Sequence, residues 1–391
     1  MDVDLIQPDQ SSLRIAVVTE TYPPDINGVA RTLAVTVEGL RSRGHVLRVV
    51  RPKHPDEITP GMQPCAREDV LVKGFPIPFY RELRMGLPAK KMLTQLWTTH
   101  RPDLVHIATE GPLGWSALKV AKKLKLPIST DFRTNFHAYS QHYGVGWLKR
   151  PVTAYLKRFH NAADSTMVPT QQLHDELTSL GFQRVHVVPR GVDVARFDPG
   201  KRSLSVRNDW GCRAGDVVML CVSRLAPEKN LSVLLKVYEA LRATHPQLRL
   251  VMVGDGPLRT TFEQAHPSVI FTGFLGEKEL SEHYASADIF AFPSVTETFG
   301  NVSLEAMASG LPVVAFDDAA AKFLIQHQES GLLADCGNDL VFQQYVDRLA
   351  KDETLRQNMG RAARVKAMTM GWPCIFEKIE TILLSLSPIT H

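Results

Sequence analysis

A chain of 391 residues is too long to fold around a single hydrophobic core of ordinary size. At about 100–200 residues per domain, this length predicts two domains. The sequence contains no run of about 18 apolar residues that would be long enough to cross a bilayer. Its first dozen residues are acidic and polar and do not resemble a signal peptide, so we expect a cytoplasmic protein. The net charge is +4, but residues 1–190 hold 25 Lys and Arg against 17 Asp and Glu. This basic half suits an anionic partner, namely a phosphorylated ligand, a nucleic acid or a membrane surface, or is an ordinary solvated surface.

The first half of the chain alternates apolar strands with amphipathic helices. An apolar strand begins at Leu13, a Gly/Pro loop follows, and the next helix ends near Gly44, where a C-cap is expected. Further strands are predicted at residues 46–52, 104–107, 127–132, 165–169 and 185–193, with a helix at 112–125. Buried strands that alternate with helices predict a parallel, doubly wound sheet.

The same alternation restarts at residue 217, after a polar stretch that we expect to link two domains near residues 193–213. Strands are predicted at 217–224, 248–254, 269–274, 288–294 and 312–316, with helices at 231–242, 277–285, 340–349 and 354–368. The fold class is therefore α/β, with two Rossmann-like domains at 1–195 and 196–371. The C-terminal segment 372–391 is expected to pack back on the first domain.

Ligands of open α/β sheets bind beyond the carboxyl ends of the strands, so the loops there are the places to search. The first strand is not followed by G-x-G-x-x-G, which weakens a dehydrogenase interpretation. It is followed instead by Asn27 and Gly28, which could bring helix N-terminal N–H groups close to an anion, or form an ordinary turn. The five cysteines are scattered, without zinc-ligand spacing, and we expect reduced thiols.

Two further loops carry charged side chains. After the strand at 217–224, Arg224 and Lys229 could close on one diphosphate, or form a solvated surface pair. Near residue 300, Glu297 and Glu305 flank a helix start, and Glu305 would lean back towards Glu297 because helical side chains point to the N-terminus. The two carboxylates could hold sugar hydroxyls, or form a cap and a surface salt bridge.

Glu297 and Glu305 form an E-x7-E pattern that occurs together with Arg224 and Lys229, with VGDGPLR at residues 253–259, and with Asn27-Gly28-Val29-Ala30. In this order, each at a strand end, the motifs resemble the retaining glycosyltransferases of family four, which have the GT-B fold of two Rossmann-like domains facing across a cleft. The resemblance runs from Arg14 to about Leu384.

The resemblance implies a nucleotide-sugar donor on the second domain and an acceptor on the first. By position, Arg224 and Lys229 would neutralise the donor diphosphate, and Glu297 would hold the transferred sugar. The remaining implied donor-binding residues are Gly28, Gly254, Asp255, Gly256, Phe274, Leu275, Phe299, Gly300, Asn301 and Glu305. Similar enzymes work by front-face displacement without a protein nucleophile, and the two cations take the place of a metal. We therefore expect no cofactor and no metal.

One departure from the family pattern concerns the donor-sugar histidine. Many members carry it after a first-domain strand, where this chain has Arg133, with His137 four residues later. Arg133 could meet an anionic sugar, an anionic acceptor or the donor phosphate. His137 could reach the site or pack as a loop residue.

The expected donor is a mannosyl or glucosyl nucleotide, with GDP-mannose preferred, and the expected acceptor is a lipid or glycolipid. Basic and aromatic residues at 80–97 and 146–160 fit a peripheral surface on anionic lipid, and they equally fit solvated helices. The alternatives are a UDP-sugar-dependent transferase, a GT-B-like sugar-nucleotide epimerase and a non-catalytic binding protein. No reader motif accompanies the diffuse basic residues, so nucleic acid is not expected as a partner.

Overall fold

The computed structural model describes residues 12–25, 27–54, 69–77, 80–133, 149–295 and 299–387. It divides into two compact units, of which the second spans Pro189–Cys374. The first unit runs up to Val188 and resumes at Ile375. Two predicted site residues, Glu297 and His137, lie outside the described residues.

The first unit is built on a parallel sheet in the order β3-β2-β1-β6-β7-β8-β9. Its strands are β1 (Arg14–Val18), β2 (Val46–Pro52), β3 (Val70–Val72), β6 (Leu104–Ile107), β7 (Ile128–Asp131), β8 (Ser165–Val168) and β9 (Val185–Val187); β4 (Gly74–Ile77) and β5 (Tyr80–Gly86) form an antiparallel pair. The helices are α1 (Gly28–Ser42), α2 (Lys90–Thr99), α3 (Pro112–Lys123), α4 (Lys149–His160) and α5 (Gln171–Ser179). Because β1, β6 and β7 are parallel neighbours, their carboxyl ends meet at one edge.

The second unit has a parallel sheet in the order β12-β11-β10-β13-β14-β15. Its strands are β10 (Val217–Val222), β11 (Leu248–Val253), β12 (Ile270–Gly273), β13 (Ile289–Phe292), β14 (Val313–Phe316) and β15 (Gly331–Ala334). The helices are α6 (Leu204–Asp209), α7 (Leu231–Arg242), α8 (Arg259–Ala265), α9 (Glu277–Ser286), α10 (Asn301–Ala308), α11 (Ala319–Leu324), α12 (Asp339–Lys351), α13 (Glu353–Met368) and α14 (Trp372–Leu386), the last of which continues into the first unit. The α/β prediction of a doubly wound parallel sheet is confirmed in each unit.

The first boundary between the units follows Val188, earlier than the link expected near residues 193–213. Phe197 is buried in the core of the second unit. Arg364 on α13 donates to the carbonyl oxygens of Val194 at 3.0 Å and Phe197 at 2.6 Å. The polar stretch therefore belongs to the second unit, because its backbone is tied to a helix there.

The C-terminal helix α14 is held to the first unit by contacts with α1 and the residues that follow it. A side chain at Gly39 would clash with the ring of Phe376, since the nearest atom lies 2.1 Å from the added carbon. The Glu380 carboxylate lies 2.9 Å from His45 Nε2. The Leu13 N–H donates to His45 Nδ1 at 3.1 Å, so Nε2 carries the hydrogen that faces Glu380.

Each unit has its own buried core. Trp97 and Phe159 are fully buried in the first unit, as are Tyr284 and Phe290 in the second, and each such side chain contributes about 2 kcal/mol or more. Trp97 is therefore not part of the basic and aromatic surface expected at residues 80–97, because it fills the space beneath α2. Within the described part of the chain, no helix is both long and apolar enough to cross a membrane.

Candidate functional site

The carboxyl edge of the second sheet gathers most of the predicted donor residues. β10 lies between β11 and β13, so the loops after these three strands are neighbours. The described residues of these loops and of the loop after β12 are Arg224, Lys229, Gly254, Asp255, Gly256, Phe274, Leu275, Phe299, Gly300, Asn301 and, one turn into α10, Glu305. Glu297 falls between β13 and α10 in the sequence, outside the described residues.

Arg224 and Lys229 lie in the loop after β10. The Arg224 side chain is 60% exposed and forms an ion pair with Glu228. Burial raises the pKa of the Cys221 thiol to about 12, and the positive charge of Lys229 opposes that rise. The Lys229 ammonium therefore lies within electrostatic range of the end of β10, where Cys221 is located. Two cations therefore lie at one strand end, and Glu228 beside Arg224 is a partner that the sequence does not single out.

Asn230 ties this loop to the next one along the edge. Its backbone is left-handed, with φ of 54°, and it ends the short turn Pro227–Lys229. Its side-chain amide donates to the Pro293 carbonyl oxygen at 3.3 Å. Because Pro293 follows β13 directly, the segment that carries Lys229 is held to the segment that leads to α10.

Gly254 and Gly256 seat the loop after β11 against the loop after β10. Gly254 has a φ of 126°, and a side chain there would lie 2.0 Å from the Ser223 carbonyl oxygen. At Gly256 it would lie 2.4 Å from the Leu225 carbonyl oxygen. The Leu225 N–H donates to the Asp255 carbonyl oxygen at 2.9 Å, so the two loops are joined backbone to backbone. Glycine is required here by protein contacts alone.

The remaining residues predicted at the base pocket differ in exposure. The Asp255 carboxylate pairs with Arg259 at 2.7 Å, and the Arg259 guanidinium, first through its hydrogen bond, holds the pKa of Asp255 below its ordinary value. β12 ends at Gly273, one residue earlier than predicted, because its φ of 75° turns the chain. Leu275 packs against the core, whereas Phe274 is 81% exposed at this edge. An exposed phenylalanine offers a flat apolar face to a ligand.

Helix α10 begins after Gly300, whose φ of 76° is left-handed. Phe299 is buried, and the Arg190 guanidinium lies over its ring at 6.0 Å from the centroid. The sequence assigns Arg190 to a strand at 185–193, but β9 ends at Val187. Arg190 is therefore a candidate site residue that only the structure reveals, and the Pro-Arg-Gly string around it was the available signal.

Glu305 lies one turn into α10 and faces α9. The Tyr284 hydroxyl lies 3.1 Å from Glu305 Oε2 and 3.2 Å from the Val302 carbonyl oxygen. Tyr284 is fully buried, so its hydroxyl fixes the carboxylate orientation. The Tyr284 hydroxyl thus gives the Glu305 carboxylate a hydrogen-bond partner within the protein. The position of Glu305 in an apolar helix therefore does not by itself require a bound sugar.

A small open pocket lies beside the start of α10. Its lining residues are Phe292, Ser294, Gly300, Ser303, Ala315, Asp318 and Ala321. Ser294 is 5% exposed, and in the described part of the chain its hydroxyl oxygen has no hydrogen-bond partner; the same holds for Asn301 Oδ1. Buried polar atoms of this kind are normally satisfied, so the pocket suits a small polar group.

In the first unit, the start of α1 contains the predicted Gly28. The Asn27 side chain caps the helix by accepting from the Ala30 N–H at 2.9 Å. A side chain added at Gly28 would meet none of the described residues within 4 Å, so contacts among those residues do not account for the glycine.

Arg133 lies just beyond the end of β7 and is engaged by the protein itself. Its Nε donates to Asp131 Oδ2 at 2.9 Å, and one terminal nitrogen contacts the same oxygen. His106 Nε2 lies 3.4 Å from that oxygen. Burial alone would raise the pKa of Asp131, but Arg133 and His106 hold it well below its ordinary value. The Asp131 carboxylate therefore pairs with Arg133, and the ligand that Arg133 meets stays a prediction.

Glu110 follows β6, between the ends of β1 and β7. Burial raises its pKa to about 7, while the charge of Arg133 opposes the rise and that of Glu20 adds to it. The Tyr155 hydroxyl on α4 donates to the Glu110 carbonyl oxygen at 2.6 Å. Glu110 is not among the residues predicted for the site, although its place at a strand end is a signal that the sequence contains.

In the described ranges, no three or more His, Cys, Asp or Glu residues are grouped so that they could hold a metal ion. Metal-free activity stays a prediction, which chelation tests.

Two family models match the chain along its two halves. Glycosyltransferase Family 4 matches residues 26–196, and Glycosyl transferases group 1 matches residues 205–366. The chain is also 34% identical to a GDP-mannose-dependent alpha-mannosyltransferase of Mycobacterium tuberculosis, over 94% of this chain and 95% of that protein. The chain is a family 4 glycosyltransferase. The predicted family and enzyme class are thereby confirmed, and the non-catalytic binding protein is set aside.

Further similarities link the glycosyltransferase to a synthase of a glucosylated lipid and to a solved structure. It is 28% identical to alpha-monoglucosyldiacylglycerol synthase of Streptococcus pneumoniae, over 84% of this chain and 76% of that protein. Sucrose-phosphate synthase from Thermosynechococcus elongatus superposes with a TM-score of 0.78 at 17% identity, over 95% of this chain and 99% of that one. At that identity the match shows the fold, which confirms the GT-B prediction.

Proposed function

We propose that this glycosyltransferase moves a hexose, preferably mannose, from GDP-mannose to a lipid or glycolipid acceptor. The name of the M. tuberculosis relative specifies both the donor and the sugar. The name of the S. pneumoniae relative specifies a glucosylated diacylglycerol as its product. A UDP-sugar donor is the main alternative, because the residues predicted around the base contribute mostly backbone.

The observation that carries the proposal is the connection between the two cations and helix α10. Arg224 and Lys229 lie at the end of β10, and Asn230 binds the loop that leads to the helix. Glu305 is held in one orientation by Tyr284 on the neighbouring helix. A diphosphate beside the cations and a ribose at Glu305 would then be bound by one rigid assembly of the second unit.

In the proposed reaction no side chain forms a covalent intermediate. The acceptor oxygen attacks the sugar carbon on the face from which GDP departs, so the configuration is retained. The acceptor hydroxyl gives its proton to a phosphate oxygen of the leaving GDP. Arg224 and Lys229 stabilise the negative charge that develops on the diphosphate, which lets the reaction proceed without a metal. Glu297 would hold the transferred sugar.

We further propose a peripheral location on an anionic membrane facing the cytoplasm. Trp115 of α3 packs against Tyr155 of α4, with ring centroids 5.7 Å apart, and Tyr155 is 44% exposed. Lys119 and Lys122 are exposed on α3, and Arg158 is exposed on α4. Exposed cations beside a part-exposed aromatic pair suit the headgroup region of anionic lipid.

The membrane proposal is tested by sedimentation with vesicles of phosphatidylcholine alone or with phosphatidylglycerol. Lys119→Glu combined with Arg158→Glu should abolish co-sedimentation with the anionic vesicles. Lys236→Glu, an exposed lysine on α7, serves as the control and should bind like the wild type. Binding that ignores the anionic lipid would contradict the proposal.

The donor is tested by thermal denaturation with GDP, UDP, ADP and their mannose, glucose and N-acetylglucosamine conjugates, since a ligand of the native state raises its stability. We expect the largest shift with GDP and GDP-mannose. If only the UDP series raised the denaturation temperature, a UDP-sugar would replace GDP-mannose as the proposed donor. Conversion of a nucleotide-sugar without any acceptor into its epimer would favour the epimerase instead.

A further inference from the structure

Strands β4 and β5 form a two-stranded ribbon whose two faces differ in composition. In this ribbon Gly74 lies opposite Gly86, and Phe75 lies opposite Met85. Residues that lie opposite each other point to the same face, whereas neighbours along one strand point to opposite faces. The two glycines therefore belong to one face, and the phenylalanine and the methionine belong to the other.

The glycine face of the ribbon packs against the rest of the first unit. A side chain at Gly74 would begin 2.9 Å from Pro52 Cβ, at the end of β2. A side chain at Gly86 would begin 2.9 Å from Leu113 Cβ, at the start of α3. The carboxylate of Glu20 fastens this face, because it accepts from the N–H groups of Gly86 and Leu113. The opposite face of the ribbon therefore points away from these elements.

The outer face of the ribbon exposes apolar side chains. The Leu87 N–H donates to the Lys73 carbonyl oxygen at 2.8 Å, so the pairing continues for one step beyond the two glycines. By the same alternation, Leu87 and Lys73 lie on the outer face beside Phe75 and Met85. Phe75 is 40% exposed and Leu87 is 42% exposed. Neighbouring apolar side chains that stay exposed in this way are typical of a contact surface.

The charged side chains around the outer face are basic. Among the side chains at 73–76 and 84–91, which the structure describes, none is acidic, and the basic ones are Lys73, Arg84, Lys90 and Lys91. Lys90 and Lys91 begin α2 and are exposed. They lie within about 15 Å of Leu87, because at most four residues of chain separate them from it. The outer face thus combines apolar groups with a positively charged border.

The ribbon also adjoins the helix that carries Trp115. The Ala89 N–H, at the start of α2, donates to Ser116 Oγ on α3 at 3.2 Å. Lys119 and Lys122 are exposed on the same helix. The ribbon, the start of α2 and α3 therefore form one assembly with exposed lysines along it. Apolar side chains bordered by lysines suit the boundary between the headgroups and the acyl chains of an anionic lipid surface.

We propose that the outer face of the ribbon enters an anionic lipid surface, with Phe75 and Leu87 among the acyl chains and the lysines at the lipid phosphates. This inference rests on the proposed membrane location and names the segment that enters the lipid. It also assigns a role to the first part of the basic and aromatic stretch at residues 80–97, in which Trp97 is buried.

Entry into the lipid is measured with Phe75→Trp and vesicles whose acyl chains carry bromine, which quenches indole fluorescence on contact. Vesicles of phosphatidylcholine and phosphatidylglycerol should quench Phe75→Trp more than the wild type. Leu204→Trp is the control, because Leu204 is 79% exposed on α6 of the second unit. It should show no quenching beyond that of the wild type. Additional quenching in both variants, or in neither, would overturn the inference.

The combined substitution of Phe75→Ser and Leu87→Ser removes the apolar groups and keeps the lysines. Its partition coefficient onto the same vesicles should fall about tenfold, because two side chains lose part of their transfer free energy. Leu204→Ser combined with Leu340→Ser, at two exposed leucines of the second unit, should partition like the wild type. An unchanged coefficient in the ribbon variant would contradict the inference. So would a wild-type dimer that the ribbon substitutions turn into a monomer, since the face would then bind a second copy.

The outcomes separate this inference from the proposed function. If the wild type bound no vesicles, the membrane location would fail and the ribbon proposal with it. If vesicle binding depended on Lys119 and Arg158 but Phe75→Trp was not quenched, only the ribbon proposal would fail. The thermal shift with GDP is recorded for every variant, so a failed donor proposal is seen separately.

Discussion

The Tyr284 hydroxyl lies 3.1 Å from Glu305 Oε2, and this contact joins α9 to the carboxylate expected to hold the donor ribose. Removing the hydroxyl in Tyr284→Phe should loosen the carboxylate while the ring continues to fill the core. We expect the affinity for GDP to fall about tenfold, corresponding to about 1.4 kcal/mol, as measured by calorimetric titration.

Tyr238→Phe is the matched control for this prediction. Tyr238 is also buried, and its hydroxyl donates to the Ser268 carbonyl oxygen at 3.3 Å, before β12 and away from the carboxyl edge. Its substitution should lower stability by about 1 kcal/mol and leave GDP affinity unchanged. Equal losses of affinity in both variants would show that Tyr284 acts only through stability.

Arg224 is expected to act on the departing diphosphate. Arg224→Ala should lower kcat by about 100- to 1,000-fold, the usual effect of removing a donor aimed at developing charge. Arg242→Ala is the control, because Arg242 also pairs with a nearby glutamate, Glu239, and is 45% exposed. It should change kcat less than about twofold, in line with the small contribution of surface pairs. Comparable effects of the two substitutions would argue against a catalytic role for Arg224.

Gly254 is expected to be required by the fold. Gly254→Ala places a methyl group against the Ser223 carbonyl oxygen and should destabilise the chain by about 2–4 kcal/mol in urea unfolding. Gly215 also has a positive φ, but a side chain there would meet nothing within 4 Å. Gly215→Ala should therefore cost only about 1–2 kcal/mol. The difference between the two losses of unfolding free energy measures the effect of the contact between the loops. A difference near zero would show that this contact does not require glycine at residue 254.

Glu110 should make stability depend on pH. Its pKa is raised from 4.5 in the unfolded chain to about 7 in the folded one, so the folded state binds the proton more tightly. The free energy of unfolding should fall as the pH rises from 4.5 through 7, by at most about 3 kcal/mol from this group. Glu110→Gln should therefore gain stability relative to the wild type between pH 5 and pH 8. Glu38→Gln, an exposed control, should not show this gain.

Catalysis is predicted to need no metal. Turnover measured after treatment with EDTA should match that of the untreated enzyme, because Arg224 and Lys229 are proposed to neutralise the diphosphate. Loss of activity on chelation, followed by its return on adding Mg²⁺ or Mn²⁺, would contradict this prediction.

Local sequence patterns were enough to predict the alternation of strands and helices, and the motifs were enough to predict the family. Apolar strands, helix caps and glycine loops are local signals, which is why α7 was predicted at 231–242 as the structure has it. It also located Arg224, Lys229 and Glu305, because these charges sit next to apolar strands or within an apolar helix. The polar stretch near residues 193–213 was misread as a link, since Arg364, distant in sequence, holds it.

The partners of several site residues could be read from the folded structure alone. Tyr284 beside Glu305 and Arg190 over Phe299 each join residues from different loops or helices, and sequence spacing carries no record of such contacts. The sequence placed a cation at Arg133 and allowed an anionic ligand there. In the folded chain the Asp131 carboxylate lies beside Arg133 in buried surroundings, where the effect of a charge depends on the groups next to it. The loops that follow the strands could be predicted from the sequence, whereas the partners of their charged side chains depend on packing.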